Sequence, residues 1–215
     1  MSSAEPLELP IFPLPSVQLF PHALLPLHVF EPRYRELVRD CLAGDPRLAV
    51  VELEPGYEPH YYERPAVRSI CGVGELIAHE ALPDGRFHIL LRGLYRARIA
   101  AELQPAHAYR QVRLEPLVEP AVDAARARRA LDELRALAGE LASRLPSGGE
   151  MLRGIVAEHP GLGPLTDVLS AALVTDREER QRLLESVDVL ARAEMVSAQV
   201  GVALTRLADD RGPAN

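Results

Sequence analysis

Apolar residues in the first 120 positions come in short runs, or alternate with polar ones, and proline or glycine punctuates each run. From about residue 121 the spacing changes to three and four, the period of an α-helix with one buried face. The pattern predicts an α+β chain of two lobes, residues 1–120 rich in strands and 121–210 helical, with a short tail at 211–215. The seam falls near Glu119–Val122.

Within the first lobe, Leu7–Leu14 and Ala23–Phe30 read as strands. Pro10, Pro13 and Pro26 lack the N–H of a central ladder and so point to edges, bulges or strand starts. Pro32 suits the first position of a helix, and Tyr34, Leu37, Val38, Cys41 and Leu42 form its apolar face up to Gly44. Arg47–Leu53 reads as a buried strand, and Val67–Ala78 is extended but interrupted by Gly72 and Gly74. Leu82-Pro-Asp-Gly85 has the chemistry of a tight turn. A strand in which Phe87, Ile89 and Leu91 face one way follows it, and Gly93 is read as its break. Leu94–Ile99 and Tyr109–Leu117 complete about six strands beside one helix, which suits a small, partly closed β-barrel or curled sheet.

The second lobe reads as a helical bundle. Leu131, Leu134, Leu137 or Ala138, Leu141 and Leu145 mark a helix stopped by Pro146-Ser-Gly-Gly149. Met151–His159 is a second helix and Pro164 opens a third. Thr175-Asp-Arg-Glu178 has the form of a capping box with Thr175 as the cap. The last helix runs from about Asp188 to Asp209, with Val189, Ala193, Val196, Val200, Leu204 and Leu207 on its buried stripe.

Composition narrows the chemistry. All 24 basic residues are arginine, so there is no Walker A lysine, Schiff-base lysine or Ser-Lys dyad. Cys41 and Cys71 form neither a disulfide framework nor a CxxC motif, and both read as small core residues. The seven histidines never fall at HxxxH or HExxH spacing, and no serine sits in GxSxG. Neither a metal site nor a cofactor is therefore expected, and no catalytic residue is assigned. The opening residues carry no secretory signal pattern, no apolar stretch is long enough to span a membrane, and the expected compartment is the cytoplasm.

The formal net charge of −7 opposes general polyanion binding. Residues 86–113 nevertheless hold six arginines against Glu102 alone. Arg92, Arg96 and Arg98 are the candidate nucleic-acid contacts if adjacent strands bring them to one face. Salt bridges to the acidic remainder are the alternative. The other unusual segment is Pro55–Pro65, which holds Tyr57, Tyr61 and Tyr62, half the tyrosines of the chain. Rigid amphipathic rings on a loop make good contact residues, and packing back onto the barrel is equally ordinary.

Leu9-Pro-Ile-Phe-Pro-Leu-Pro15, Val17-Gln-Leu-Phe-Pro21 and Leu25-Pro-Leu-His-Val-Phe-Glu-Pro-Arg-Tyr-Arg35 together resemble the N-terminal substrate-binding domain of Lon proteases, especially its stand-alone bacterial relatives. Gly72-Val-Gly-Glu-Leu-Ile77, Leu91-Arg-Gly-Leu-Tyr-Arg-Ala-Arg98 and Glu179-Arg-Gln-Arg-Leu-Leu-Glu185 resemble its later blocks, in order. The resemblance implies a PUA-like barrel followed by a helical bundle. It also implies a non-catalytic module that binds unfolded or exposed polypeptide, as an adaptor or regulator in protein quality control. Phe20 and Pro21 in the proline-rich loop, with Tyr57, Tyr61 and Tyr62, are the expected peptide contacts. RNA binding through the arginines of the barrel is the rival reading.

Overall fold

The alternation of side chains along six strands decides where the core of the first half lies. In the computed structural model, which describes residues 7–209, the strands are β1 (Leu7–Leu14), β2 (Leu24–Val29), β3 (Arg47–Glu52), β4 (Ile70–Ala81), β5 (Phe87–Glu102) and β6 (Arg110–Pro116). The tail expected at 211–215 and residues 1–6 lie outside the described residues. The sheet order is β2-β5-β4-β3-β1-β6, and β5 also pairs with β6, so five strands close into a ring and β2 lies outside it on β5. β1 and β3 are parallel and the other neighbours antiparallel. The length of β5 makes this closure geometrically feasible: Phe87–Arg92 pairs with β2 and Ala97–Glu102 with β6.

Because successive strand residues face opposite ways, two apolar layers form. Leu9, Ile11, Ala49, Val51, Cys71, Val73, Ala97, Val112 and Leu114 fill the ring. Their neighbours Phe12, Leu48, Val50 and Leu76 face outward, where helix α1 (Pro32–Ala43) covers them with Tyr34, Leu37, Val38 and Cys41. This is the i, i+3, i+4, i+7 stripe of the sequence, and Leu42 at its margin is exposed.

Gly93 does not break its strand, contrary to the sequence expectation. It lies inside β5, where the loop between β1 and β2 crosses the sheet. A Cβ on Gly72 would stand 1.8 Å from the carbonyl oxygen of Leu19, and one on Gly93 would stand 1.9 Å from that of Phe20. The glycines therefore mark a close backbone approach. His22 N–H donates to the Gly93 carbonyl and Gly93 N–H to that of Ala23, both at 2.9 Å, which fixes the crossing.

Both cysteines are buried, and burial raises each thiol to about 12, with Asp45 and Asp40 adding to the effect at Cys41. A thiol this far above neutrality supplies almost no thiolate. Ellman's reagent is expected to label neither cysteine in the native protein and both after denaturation. Rapid native labelling of Cys71 would place it outside the ring.

The chain divides after Leu117 into two compact units. The second contains α2 (Ala124–Arg144), α3 (Gly149–Glu158), α4 (Leu162–Leu173), α5 (Arg177–Glu185) and α6 (Val189–Asp209). Asp123 caps α2 by accepting from Arg126 N–H. The cap of α5 is Asp176 rather than Thr175: its carboxylate accepts from the N–H of Glu179 at 2.8 Å, which shifts the expected box by one residue. Arg180 donates to the carbonyls of Ala171 and Val174 and so closes the C-terminal end of α4. Leu165, Leu169, Leu134, Leu141, Val196 and Val200 are buried in this unit, and Arg192 is buried with them. Among the described residues, no helix is long and apolar enough to cross a membrane.

Candidate functional site

The Pro55–Pro65 loop has a closed base. Leu53 bridges Val67, Glu54 N–H donates to the carbonyl of Ala66 at 2.9 Å, and Arg68 lies 3.4 Å from Glu54. Between these ends a single turn of 3-10 helix, Glu58–His60, carries the chain outward and sets the three tyrosines on either side of it.

The Phe30-Glu-Pro-Arg-Tyr-Arg35 block braces that loop. Tyr61 Oη donates to Glu31 Oε1 at 2.6 Å, and Arg33 Nε donates to Glu31 Oε2 at 3.1 Å. Arg33 also donates from Nη2 to the Tyr61 carbonyl at 3.3 Å. Its guanidinium lies 4.7 Å from the centre of the Tyr34 ring and 5.4 Å from that of Tyr61, within cation–π range of both. Burial, followed by the bond to Glu31, raises the Tyr61 phenol to about 12, so it remains a donor at neutral pH. Tyr34 is held well above its ordinary range by its burial against Phe12, 4.2 Å between ring centres. The helix-starting proline places Arg33 and Tyr34 in the first turn of α1, the position from which they reach the loop.

Arg33, Tyr34, Tyr61, Arg64, Tyr109 and Arg110 line a cleft at the foot of the loop. Its cations are paired: Arg110 donates to Glu102 at 2.8 and 2.9 Å and to the Pro65 carbonyl at 2.7 Å, and Arg64 bonds to the same Glu102. Those hydrogen bonds outweigh the effect of burial on Glu102 and hold its carboxyl below the usual carboxylate range. Above the cleft, Tyr62 packs edge-on against Tyr61 at 5.2 Å and is 86% exposed. Tyr57 is half-buried, 6.0 Å from Tyr61 between ring centres.

Phe20 and Pro21 are not on this surface. Phe20 is 0% exposed and Pro21 is buried, because their loop is pressed onto the sheet at Gly72 and Gly93. Nor does a basic sheet face assemble. Arg92, Arg96 and Arg98 all lie on β5 rather than on adjacent strands, and an irregularity between Gly93 and Tyr95 turns the strand over. Arg92 thereby faces the opposite side from the other two. Arg92 pairs with Glu75 at 2.8 Å, Arg98 stands 3.8 Å from Glu115, and Arg96 is buried.

The brace between Glu31, Arg33 and Tyr61 is what sequence spacing alone missed. Its partners lie about 30 positions apart, and the one available signal was the unusual density of polar and aromatic residues at both ends.

Residues 8–200 match the family model of the ATP-dependent protease La (LON) substrate-binding domain, and the chain belongs to that family. It is 32% identical over 213 residues to the Lon protease of Paraburkholderia phytofirmans, covering 94% of this chain and 25% of that protein. Lon protease 2 of Sorangium cellulosum is 30% identical over 203 residues, covering 89% and 24%. The chain thus spans about a quarter of the length of the curated relatives it matches. Among solved structures, the N-terminal domain of the Mycobacterium avium complex Lon protease aligns at a TM-score of 0.72 with 18% identity, over 91% of this chain and 98% of that one. The Lon N-terminal domain protein from Xanthomonas campestris aligns at 0.61 with 22% identity, over 89% and 98%. These two likenesses establish a shared α+β fold.

Proposed function

We propose that this chain is a non-catalytic polypeptide-binding module and that the tyrosine loop is its contact surface. Family membership supplies the class, and the observation that carries the site is a large aromatic side chain, Tyr62, held 86% exposed on a loop closed at its base. A rigid exposed ring contributes apolar area and one hydrogen bond at little cost in conformational entropy, and it does not demand one sequence from its partner. Tyr57 and Tyr61 extend the surface, and Tyr61 also orients it. The family resemblance is what supports reading the ring as a PUA-like barrel, and also a role as adaptor or regulator that holds exposed polypeptide for a separate machine.

The test is fluorescence anisotropy with a labelled unfolded polypeptide. Tyr62→Ser is expected to weaken binding about tenfold, the scale of an aromatic contact residue, with the melting temperature unchanged. An unchanged affinity would remove the loop from the site. Because apolar contacts release few counterions, affinity is expected to fall only shallowly with salt.

A further inference from the structure

Further along α1 from the brace, two carboxylates and a histidine converge. Glu36 and Asp40 stand one helical turn apart, and His107, in the loop joining β5 to β6, lies over both. One ligand atom from each of the three falls within 4.8 Å of the others. His107 Nδ1 is 3.8 Å from Glu36 Oε1 and 3.6 Å from Asp40 Oδ2. A cation about 2.1 Å from each donor requires donors about 3.0–3.4 Å apart. The two histidine–carboxylate distances close by a few tenths of an ångström, and the carboxylate oxygens, within 4.8 Å of each other, draw together by a rotamer adjustment.

Charge at this place is balanced differently from that of several other carboxylates of the barrel unit. Glu8, Asp45, Glu75, Asp84 and Glu102 each face an arginine. Glu36 and Asp40 have no arginine within ion-pair reach among the described residues, and carboxylates at i and i+4 repel one another. A divalent cation held between them removes that repulsion.

The donors are also oriented from outside. Tyr109 Oη donates to Asp40 Oδ2 at 2.8 Å, Ala108 N–H donates to Glu36 Oε1 at 3.3 Å, and the His107 ring stacks on Tyr109 at 4.7 Å and 15°. Each carboxylate oxygen retains a second lone pair for a metal. Such supporting contacts fix ring and carboxylate orientation in metal sites.

We infer that Glu36, Asp40 and His107 form a binding site for a divalent transition-metal cation, with zinc the best match. One imidazole nitrogen and two carboxylate oxygens leave the fourth tetrahedral position to water. Bound there, the ion clips the β5–β6 loop onto α1. The inference is independent of the tyrosine loop.

The experiment is calorimetric titration of the untagged full chain with zinc chloride, with magnesium chloride as the oxygen-preferring control. One equivalent of zinc is expected to bind, magnesium much more weakly, and the thermal midpoint is expected to rise with zinc concentration. His107→Ala is expected to lower the zinc affinity tenfold or more while leaving the far-ultraviolet circular dichroism unchanged. His28→Ala/His88→Ala removes a close histidine pair elsewhere, whose rings stand 4.9 Å apart, and is expected to retain the binding. Absence of zinc binding at millimolar concentration overturns the assignment, as does binding that survives His107→Ala.

Discussion

Arg192→Ala is expected to remove about 3–5 kcal/mol from the stability of the helical unit, because it removes a fully buried cation from beside a buried carboxylate. Arg192 is 0% exposed, and its Nε lies 3.5 Å from Oδ1 of Asp167, which is 2% exposed. Its Nη1 donates to the carbonyl of Ser186 at 2.9 Å, and its Nη2 bonds to Glu119. Glu119 is more open to solvent and holds the charge less tightly, so the loss is dominated by Asp167. Arg192→Met/Asp167→Leu removes both charges while filling most of the space, and it is expected to recover most of the stability.

Urea unfolding followed at 222 nm measures the loss, with tyrosine fluorescence as the probe of the other unit. All six tyrosines lie before residue 118, and the chain has no tryptophan. A loss below about 1 kcal/mol would mean that the remaining interactions of Asp167 hold its charge without Arg192.

Arg192 shows how far the pattern could be read. Val189, Ala193, Val196 and Val200 were legible as the buried stripe of α6, and Arg192 sits on that stripe three residues after Val189. Its charge makes it read as an interruption, but position on the helix governs burial once a partner is available. The partner was not legible, since Asp167 lies on another helix and a single sequence carries no sign of the pairing. The strands were legible for the opposite reason. Several of their boundaries are set by local chemistry: the turn at Leu82–Gly85 separates β4 from β5, and alternation from Phe87 to Leu91 marks the first half of β5.

The site divides in the same way. Tyr57, Tyr61 and Tyr62 stood out as half the tyrosines of the chain within one proline-rich loop, a density that left contact and packing as equal readings. Tyr61 does pack, against Glu31 and Arg33, and Tyr62 is exposed. Phe20 and Pro21 were misplaced because loop composition suggested exposure, whereas the burial of that loop is dictated by residues far along the chain. Gly72 and Gly93 were the available clue. Glycine inside a strand marks either a break or a crossing backbone, and the sequence does not say which.

The crossing leads to the second large effect. Gly93→Ala is expected to destabilise the barrel unit by about 3 kcal/mol or more, at the upper end of overpacking costs, since the new methyl meets main chain rather than a flexible side chain. Its Cβ would stand 1.9 Å from the carbonyl oxygen of Phe20 and 2.8 Å from the carbonyl carbon. The loop cannot slide aside freely, because Gly93 exchanges hydrogen bonds with His22 and Ala23. Relief therefore requires the Leu19–Pro21 segment to lift, which exposes Phe20 and opens the layer beneath α1. The measurement is the urea midpoint by tyrosine fluorescence, with binding of an apolar dye to detect the exposed surface. Gly139→Ala is the matched control: the same methyl is added within α2, nothing lies within 4 Å of it, and the helix gains about 0.5–1 kcal/mol from the better propensity of alanine. Opposite signs for one chemical change would locate the constraint at the crossing. A Gly93→Ala protein within 1 kcal/mol of the parent would instead mean that the loop yields, and Phe20 would return to the set of residues available to a ligand.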